Sequence, residues 1–122
     1  MLGGRGGLVR MTTLYGIRNC DTVRKARRWL DDSGVEYTFH DVRSDGLDKK
    51  TLQAWEKQLG WDRLLNRRGT TWRKLPETVR NGINRTSALQ IMLDHPAIIK
   101  RPLLAVGKQL YVGFNADDWR GL

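Results

Sequence analysis

A chain of 122 residues, 39% of them hydrophobic and 29% charged, has the make-up of one globular domain and leaves no room for two independent cores. No apolar run approaches the ~20 residues of a transmembrane helix, and the opening stretch is too poor in apolar residues for a secretory signal, so no membrane partner is expected. The formal charge of +9 favours anionic partners. Its cations are scattered through Arg24-Lys25-Ala26-Arg27-Arg28, Arg67-Arg68 and Lys100-Arg101, a pattern of solvated faces more than of a nucleic-acid surface.

Taken in chain order, residues 1–11 hold four glycines in their first seven positions. Ordering them without packing would cost too much entropy, so they are expected to form a flexible extension, with the domain spanning 12–122. Thr12–Gly16 reads as a first strand. Asp21 and Thr22 are capping residue types, and Val23, Ala26 and Leu30 follow at helical spacing as far as a left-handed cap at Gly34. Val35–Val42 alternates apolar with polar and reads as a second strand, parallel to the first across the helix.

Leu47-Asp48 opens a second helix bearing Leu52, Trp55 and Leu59, which Gly60 stops. From Trp61 to about Gln90 the pattern is helical but broken. A clearer helix runs from a cap at Thr86 or Ser87 to His95-Pro96, where proline ends it. Leu103–Val106 and Gln109–Val112 flank Gly107-Lys108, a spacing that suits a two-residue II′ hairpin. Asn115 then caps a short last helix. The expected architecture is α/β: a thioredoxin-like, mixed four-stranded sheet with an all-helical insertion between strand 2 and the C-terminal hairpin.

The only cysteine, Cys20, excludes an intrachain disulfide and suits a reducing, cytoplasmic setting. His40 and His95 give no metal-ligand spacing with it, and no metal or bound cofactor is expected. Cys20 falls where the first strand gives way to the first helix. Unpaired N–H groups and the helix dipole favour thiolate there, and Arg18 and Arg24 are close in sequence. A lone cysteine serves elsewhere as a small buried hydrophobe; the strand-to-helix position and the polar neighbours Asn19 and Asp21 favour the nucleophile. Arg101-Pro102 precedes the third strand, with the proline at a strand start or in the cis form. Arg101 could there present its guanidinium fork to an oxyanion beside the sulfur, and on spacing alone it serves equally as a surface arginine. Asn66-Arg67-Arg68-Gly69 is either a further anion contact or a solvated basic loop. The expected catalytic pair is therefore Cys20 and Arg101, with Arg18, Asn19, Arg67 and Pro102 binding substrate.

Tyr15-Gly-Ile-Arg-Asn-Cys-Asp-Thr22, Arg67-Arg-Gly-Thr-Thr-Trp72 and Asp94-His-Pro-Ala-Ile-Ile-Lys-Arg-Pro-Leu103 together resemble the ArsC (arsenate reductase-related) family, most closely its small YffB-like branch near the Spx regulators. The resemblance implies a thioredoxin-like sheet with a helical insert, a cis Arg101–Pro102 bond, Cys20 as nucleophile and Arg101 holding an oxyanion. It also implies glutathione as co-substrate, with glutaredoxin as a resolving partner, or RNA polymerase as partner of a non-catalytic Spx-like regulator; a monomer is expected. The chain departs from the arsenate reductase pattern at Gly16, where that pattern has histidine, and at Asn66 and Val112, where it has arginines. It departs from the Spx pattern at Val23, which stands where a second cysteine is common.

Overall fold

The computed structural model describes residues 11–122. The extension expected over 1–11 lies outside the described residues except for Met11, whose carbonyl accepts the Gly107 N–H at 2.8 Å. Four strands, β1 (Thr12–Gly16), β2 (Thr38–Asp41), β3 (Leu103–Val106) and β4 (Gln109–Val112), form one sheet in the order β2-β1-β3-β4. β1 pairs parallel with β2 and antiparallel with β3, and β3 pairs antiparallel with β4. The thioredoxin-like, mixed four-stranded architecture is the one the sequence implied.

Side chains alternate across β1 and β3 and build a core on each face. On one face Leu14 and Leu104 meet Ala26 and Leu30 of α1 (Asp21–Asp32) and Trp119 of the short terminal helix. On the other, Leu103 meets the helical insert through Leu52 and Trp55 of α2 (Lys49–Leu59) and Met92 of a later helix. The insert is broken as expected, into α3 (Trp61–Leu64), α4 (Thr70–Arg73), α5 (Glu77–Asn81) and α6 (Arg85–Asp94), and then a 3-10 turn over Pro96–Ile98. The terminal helix α7 (Ala116–Trp119) has Asn115 as its cap, accepting from the amides of Asp117 and Asp118. Among the described residues no helix is long and apolar enough to cross a membrane.

Three boundaries differ from the sequence reading. β2 begins at Thr38, not Val35, because its ladder with β1 starts at the Thr13–Thr38 pair; residues 35–37 keep the alternation, but among the described residues no strand pairing includes them. Helix α1 is capped by Cys20 itself, and neither Asp21 nor Thr22 takes that place. Helix α6 begins earlier, because Asn84 accepts the Ser87 N–H while Ser87 Oγ accepts the Asn84 N–H, a reciprocal box closing at 2.9 and 3.0 Å.

The hairpin is as expected. Gly107 has φ +58°, and among the described residues no non-glycine has positive φ, so Lys108 completes a II′ turn.

Gly16 ends β1 directly over α1. A Cβ there would stand 2.7 Å from one methyl of Val23 and 3.0 Å from the other, and Val23 is fully buried. Two of the four positions at which this chain departs from its resemblances, Gly16 and Val23, are therefore in contact: the lack of a side chain at 16 is what admits a branched one at 23. Gly16→Ala is expected to lose ~1–3 kcal/mol by overpacking, and Gly16→Ala/Val23→Ala should lose less than the sum of the single changes. Chemical denaturation of the four proteins checks this, and strict additivity would show that the contact carries no strain.

Candidate active site

The register Tyr15–Leu103 fixes the geometry of the site. Because β1 and β3 run antiparallel, the chain leaving β1 and the chain entering β3 meet at one end of the sheet. The first becomes a tight turn in which Cys20 N donates to Ile17 O at 3.2 Å, with Arg18 and Asn19 as its central residues. The second is Arg101-Pro102, joined by a cis peptide bond, with the Pro102 carbonyl accepting the Gly113 N–H at 2.8 Å.

Cys20 is half-buried, its thiol free. Burial pushes the thiol pKa up, but the backbone amide of Val23, the guanidinium of Arg101 and the amide of Thr22 outweigh it, leaving the sulfur below the ordinary thiol value. The two amides are unpaired donors of the first helical turn. They point at the sulfur and favour its charged form. Arg101 is held by its other side: Nη1 donates to the carbonyls of Ala97 and Ile99, and Nε is buried without a partner. A cation anchored in this way contributes its charge at the sulfur without reorganising.

Arg101 also lines a groove of ≈ 640 Å³. A single bridge, Leu65 to Ile99, assembles it: Asn66 N donates to Ile98 O and Lys100 N to Leu64 O, each at 2.8 Å. That short zip lays Asn66-Arg67-Arg68 beside Lys100-Arg101. The groove wall carries Arg63, Arg67, Arg68, Lys100 and Arg101 against one acid, Asp62. Arg67 lies over the rings of Trp61 and Trp72, 5.8 and 5.5 Å from their centroids, and is paired with Asp62 at 2.7 Å. Asn66 and Val112, the positions that carry arginine in the arsenate reductase pattern, line the same groove.

Of the expected substrate-binding residues, the groove brings Arg67 to Arg101 and omits three. Arg18 is turned away onto Asp41 and Ser44: its amide donates to Asp41 Oδ2 at 3.0 Å, its Nη1 lies 3.5 Å from the same oxygen, and it donates to Ser44 Oγ at 3.2 Å. Asn19 is exposed in the turn beside the sulfur and is no part of the groove wall. Pro102 is fully buried, so it positions Arg101 and offers a ligand no surface. Arg24, expected to add to the field at the sulfur, is paired with Asp21. Cys20 does not line the groove; Arg101 is what links sulfur and groove. Sequence reasoning missed Arg63 and Lys100, because only the bridge brings their segments together, and Asp41, whose partners lie across a parallel crossover.

Asp41 is the buried polar residue behind this loop. Besides Arg18 N it takes the amides of Arg43 and Ser44, at 2.9 and 3.0 Å. Burial pushes its carboxyl up, but the amides of Ser44, Arg18 and Arg43 and the Arg18 charge more than offset that and hold it below the ordinary carboxylate range.

The model of the ArsC family matches residues 15–122. An uncharacterized protein from Haemophilus influenzae is 46% identical over 110 residues, covering 90% of this chain and 96% of its own. The global transcriptional regulator Spx 1 of Bacillus cereus is 30% identical over 114 residues, covering 90% and 85%. Among solved structures, the YFFB protein superposes with a TM-score of 0.87 at 43% identity, covering 91% of this chain and 97% of that one. An arsenate reductase (ArsC) related protein from Brucella melitensis gives 0.76 at 49% identity, covering 91% and 92%.

Two outcomes follow from the site's electrostatics. Arg101→Met should move the Cys20 titration up towards the ~8.5 of a free thiol, short of it because the amides remain, and slow alkylation at neutral pH severalfold; thiolate absorbance against pH reads the first and the rate of iodoacetamide labelling the second, and an unmoved midpoint would take the guanidinium out of the site. Asp41, with its folded pKa below its unfolded one, stabilises fully above pH ~3.9 and loses that contribution as pH falls through the folded value. Asp41→Asn should therefore cost ~1–3 kcal/mol at neutral pH, with the gap to the parent protein closing in acid. Urea titrations across the acid range test it, and a gap constant with pH contradicts it.

Proposed function

The chain belongs to the ArsC family, and from that membership and the Cys20–Arg101 pair we propose that it is a glutathione-dependent thiol oxidoreductase. One observation carries the reading: the single sulfur sits at a helix N-terminus with an anchored guanidinium beside it and a pKa pulled below that of an ordinary thiol. The thiolate is the attacking species in disulfide exchange.

Cys20 thiolate attacks the glutathione sulfur of a mixed disulfide between glutathione and a substrate thiol. A bond forms between Cys20 and glutathione, and the substrate leaves as thiolate. A second glutathione thiolate then attacks the Cys20 adduct, releasing oxidised glutathione and restoring the Cys20 thiolate. The substrate disulfide is reduced by two electrons and glutathione is oxidised. Arg101 and Arg67, which line one groove, supply charge for the glutathione carboxylates; Arg18 lies outside that groove. Arsenate is a weaker candidate substrate, because two of the three positions that carry arginine in the arsenate reductase pattern are Asn66 and Val112 here.

The likeness to Spx 1, with the +9 charge, favours a second reading: a non-catalytic regulator that docks on RNA polymerase or another protein. A thiol switch of the two-cysteine kind has no basis in it, since Val23 holds the second position and is buried. The two readings separate on Cys20→Ser, which should abolish the first activity and leave partner capture by the second intact.

Incubation with oxidised glutathione at neutral pH should give a protein heavier by one glutathionyl group. The adduct should form faster than on the denatured chain, reverse with reduced glutathione and be absent from Cys20→Ser. An unmodified Cys20 that titrates like a free thiol would end the oxidoreductase reading.

A further inference from the structure

β4 is an edge strand, and its outer side is closed for only part of its length. The hairpin register places Tyr111 opposite Leu104 and Gln109 opposite Val106, and Gly113 N donates to Pro102 O. Backbone groups of residues 109, 111 and 113 therefore face β3, and by strand alternation those of Leu110 and Val112 face outward. At Leu110 that side is occupied. Gln58 Oε1 accepts the Leu110 N–H at 3.1 Å, while Gln58 Nε2 donates to Lys108 O at 2.9 Å. A carboxamide from α2 thus imitates one step of a neighbouring strand and protects the edge there.

One step on, at Val112, the protection ends, and among the described residues no side chain bonds the outward backbone. Val112 lies in the wall of the cationic groove. Five cations stand there against Asp62, whose carboxylate is already paired with Arg67. A ligand matched to this surface has outward-facing amides of its own and several negative charges. Nucleic acid lacks the first, and the stacking platforms it uses are taken, since Arg67 covers both Trp61 and Trp72.

We propose that the Val112 edge docks an extended acidic peptide segment by strand addition, with its carboxylates reaching Arg63, Arg68 and Lys100. The docking stands on the edge and the charges alone. That the docked segment presents the disulfide to Cys20 rests on the oxidoreductase reading, and it makes the substrate class acidic protein thiols.

The test uses the Cys20→Ser protein, so that binding is read without exchange, and a short fluorescent peptide alternating Glu with Val, followed by anisotropy. It should bind with an affinity that falls as salt rises, while its Lys-for-Glu counterpart and a single-stranded oligonucleotide bind weakly. Arg68→Glu/Lys100→Glu should cost roughly tenfold or more. Methylating alternate peptide amides keeps the protein unchanged: one register should abolish binding and the other should not. Equal affinity for the acidic and basic peptides, equal loss from both methylation registers, or preference for the oligonucleotide would each overturn the proposal. Failure here would leave the glutathione adduct on the parent protein untouched, and failure of the adduct would leave this binding untouched.

Discussion

The antiparallel pairing of β1 with β3 is the constraint on which everything else in this molecule depends. Tyr15 faces Leu103, so the turn that ends in Cys20 and the Arg101-Pro102 segment must emerge at the same end of the sheet, although they are far apart in sequence. Helix α1 then supplies two amides and the β3 approach supplies a guanidinium, and the sulfur lies where they meet. Both act against burial, which pushes the thiol up. The reactive state of the thiol is thus a property of the sheet register as much as of the residues beside it.

Charge on this protein is large in total and selective in place. Several cations are answered locally: Arg24 by Asp21, Arg85 by Glu56, Arg120 by Asp117 and Arg18 by Asp41. The two pairs exposed on both sides, Arg24–Asp21 and Arg120–Asp117, add little stability, but all four remove their charges from the surface field. The groove is the exception. Its five cations share one carboxylate, and the Leu65–Ile99 bridge holds two basic segments side by side. Like charges gathered in this way repel one another, so the bridge and the cores behind it must hold them against that repulsion. An anion bound in the groove relieves it.

Much of the fold was legible because glycine, proline and asparagine punctuate it. β1, β3 and β4 begin and end where the turn residues say, since Gly107 and Asn115 meet demands that other residues meet poorly. Val35–Tyr37 misled because alternation reports which residues could face a core, whereas a strand also needs a neighbour, and the β1 ladder starts only at Thr13. The cap of α6 was placed late because Thr86 and Ser87 adjoin the apolar run; Asn84 caps through a box with Ser87 that periodicity does not register. The placement of Cys20 at a helix start and of Arg101 before β3 was readable from their positions at element ends. The place of Arg18 was not readable, because nearness in sequence is not nearness in space, and its partner Asp41 comes from across the crossover.

The departures from the arsenate reductase pattern acquire a common meaning once they are located. Asn66 and Val112 do not sit in scattered places; both line the groove that Arg101 shares. Replacing two guanidinium groups there removes the convergent charge a small, highly charged oxyanion needs. It leaves an open wall whose cations, Arg63, Arg67, Arg68 and Lys100, are spread along its length and belong to neighbouring positions. Gly16, another departure from the arsenate reductase pattern, packs on Val23, the departure from the Spx pattern, and cannot carry a Cβ while Val23 keeps both methyls. The sulfur and its guanidinium stand together at one end of the sheet, and the guanidinium opens onto an elongated, basic surface.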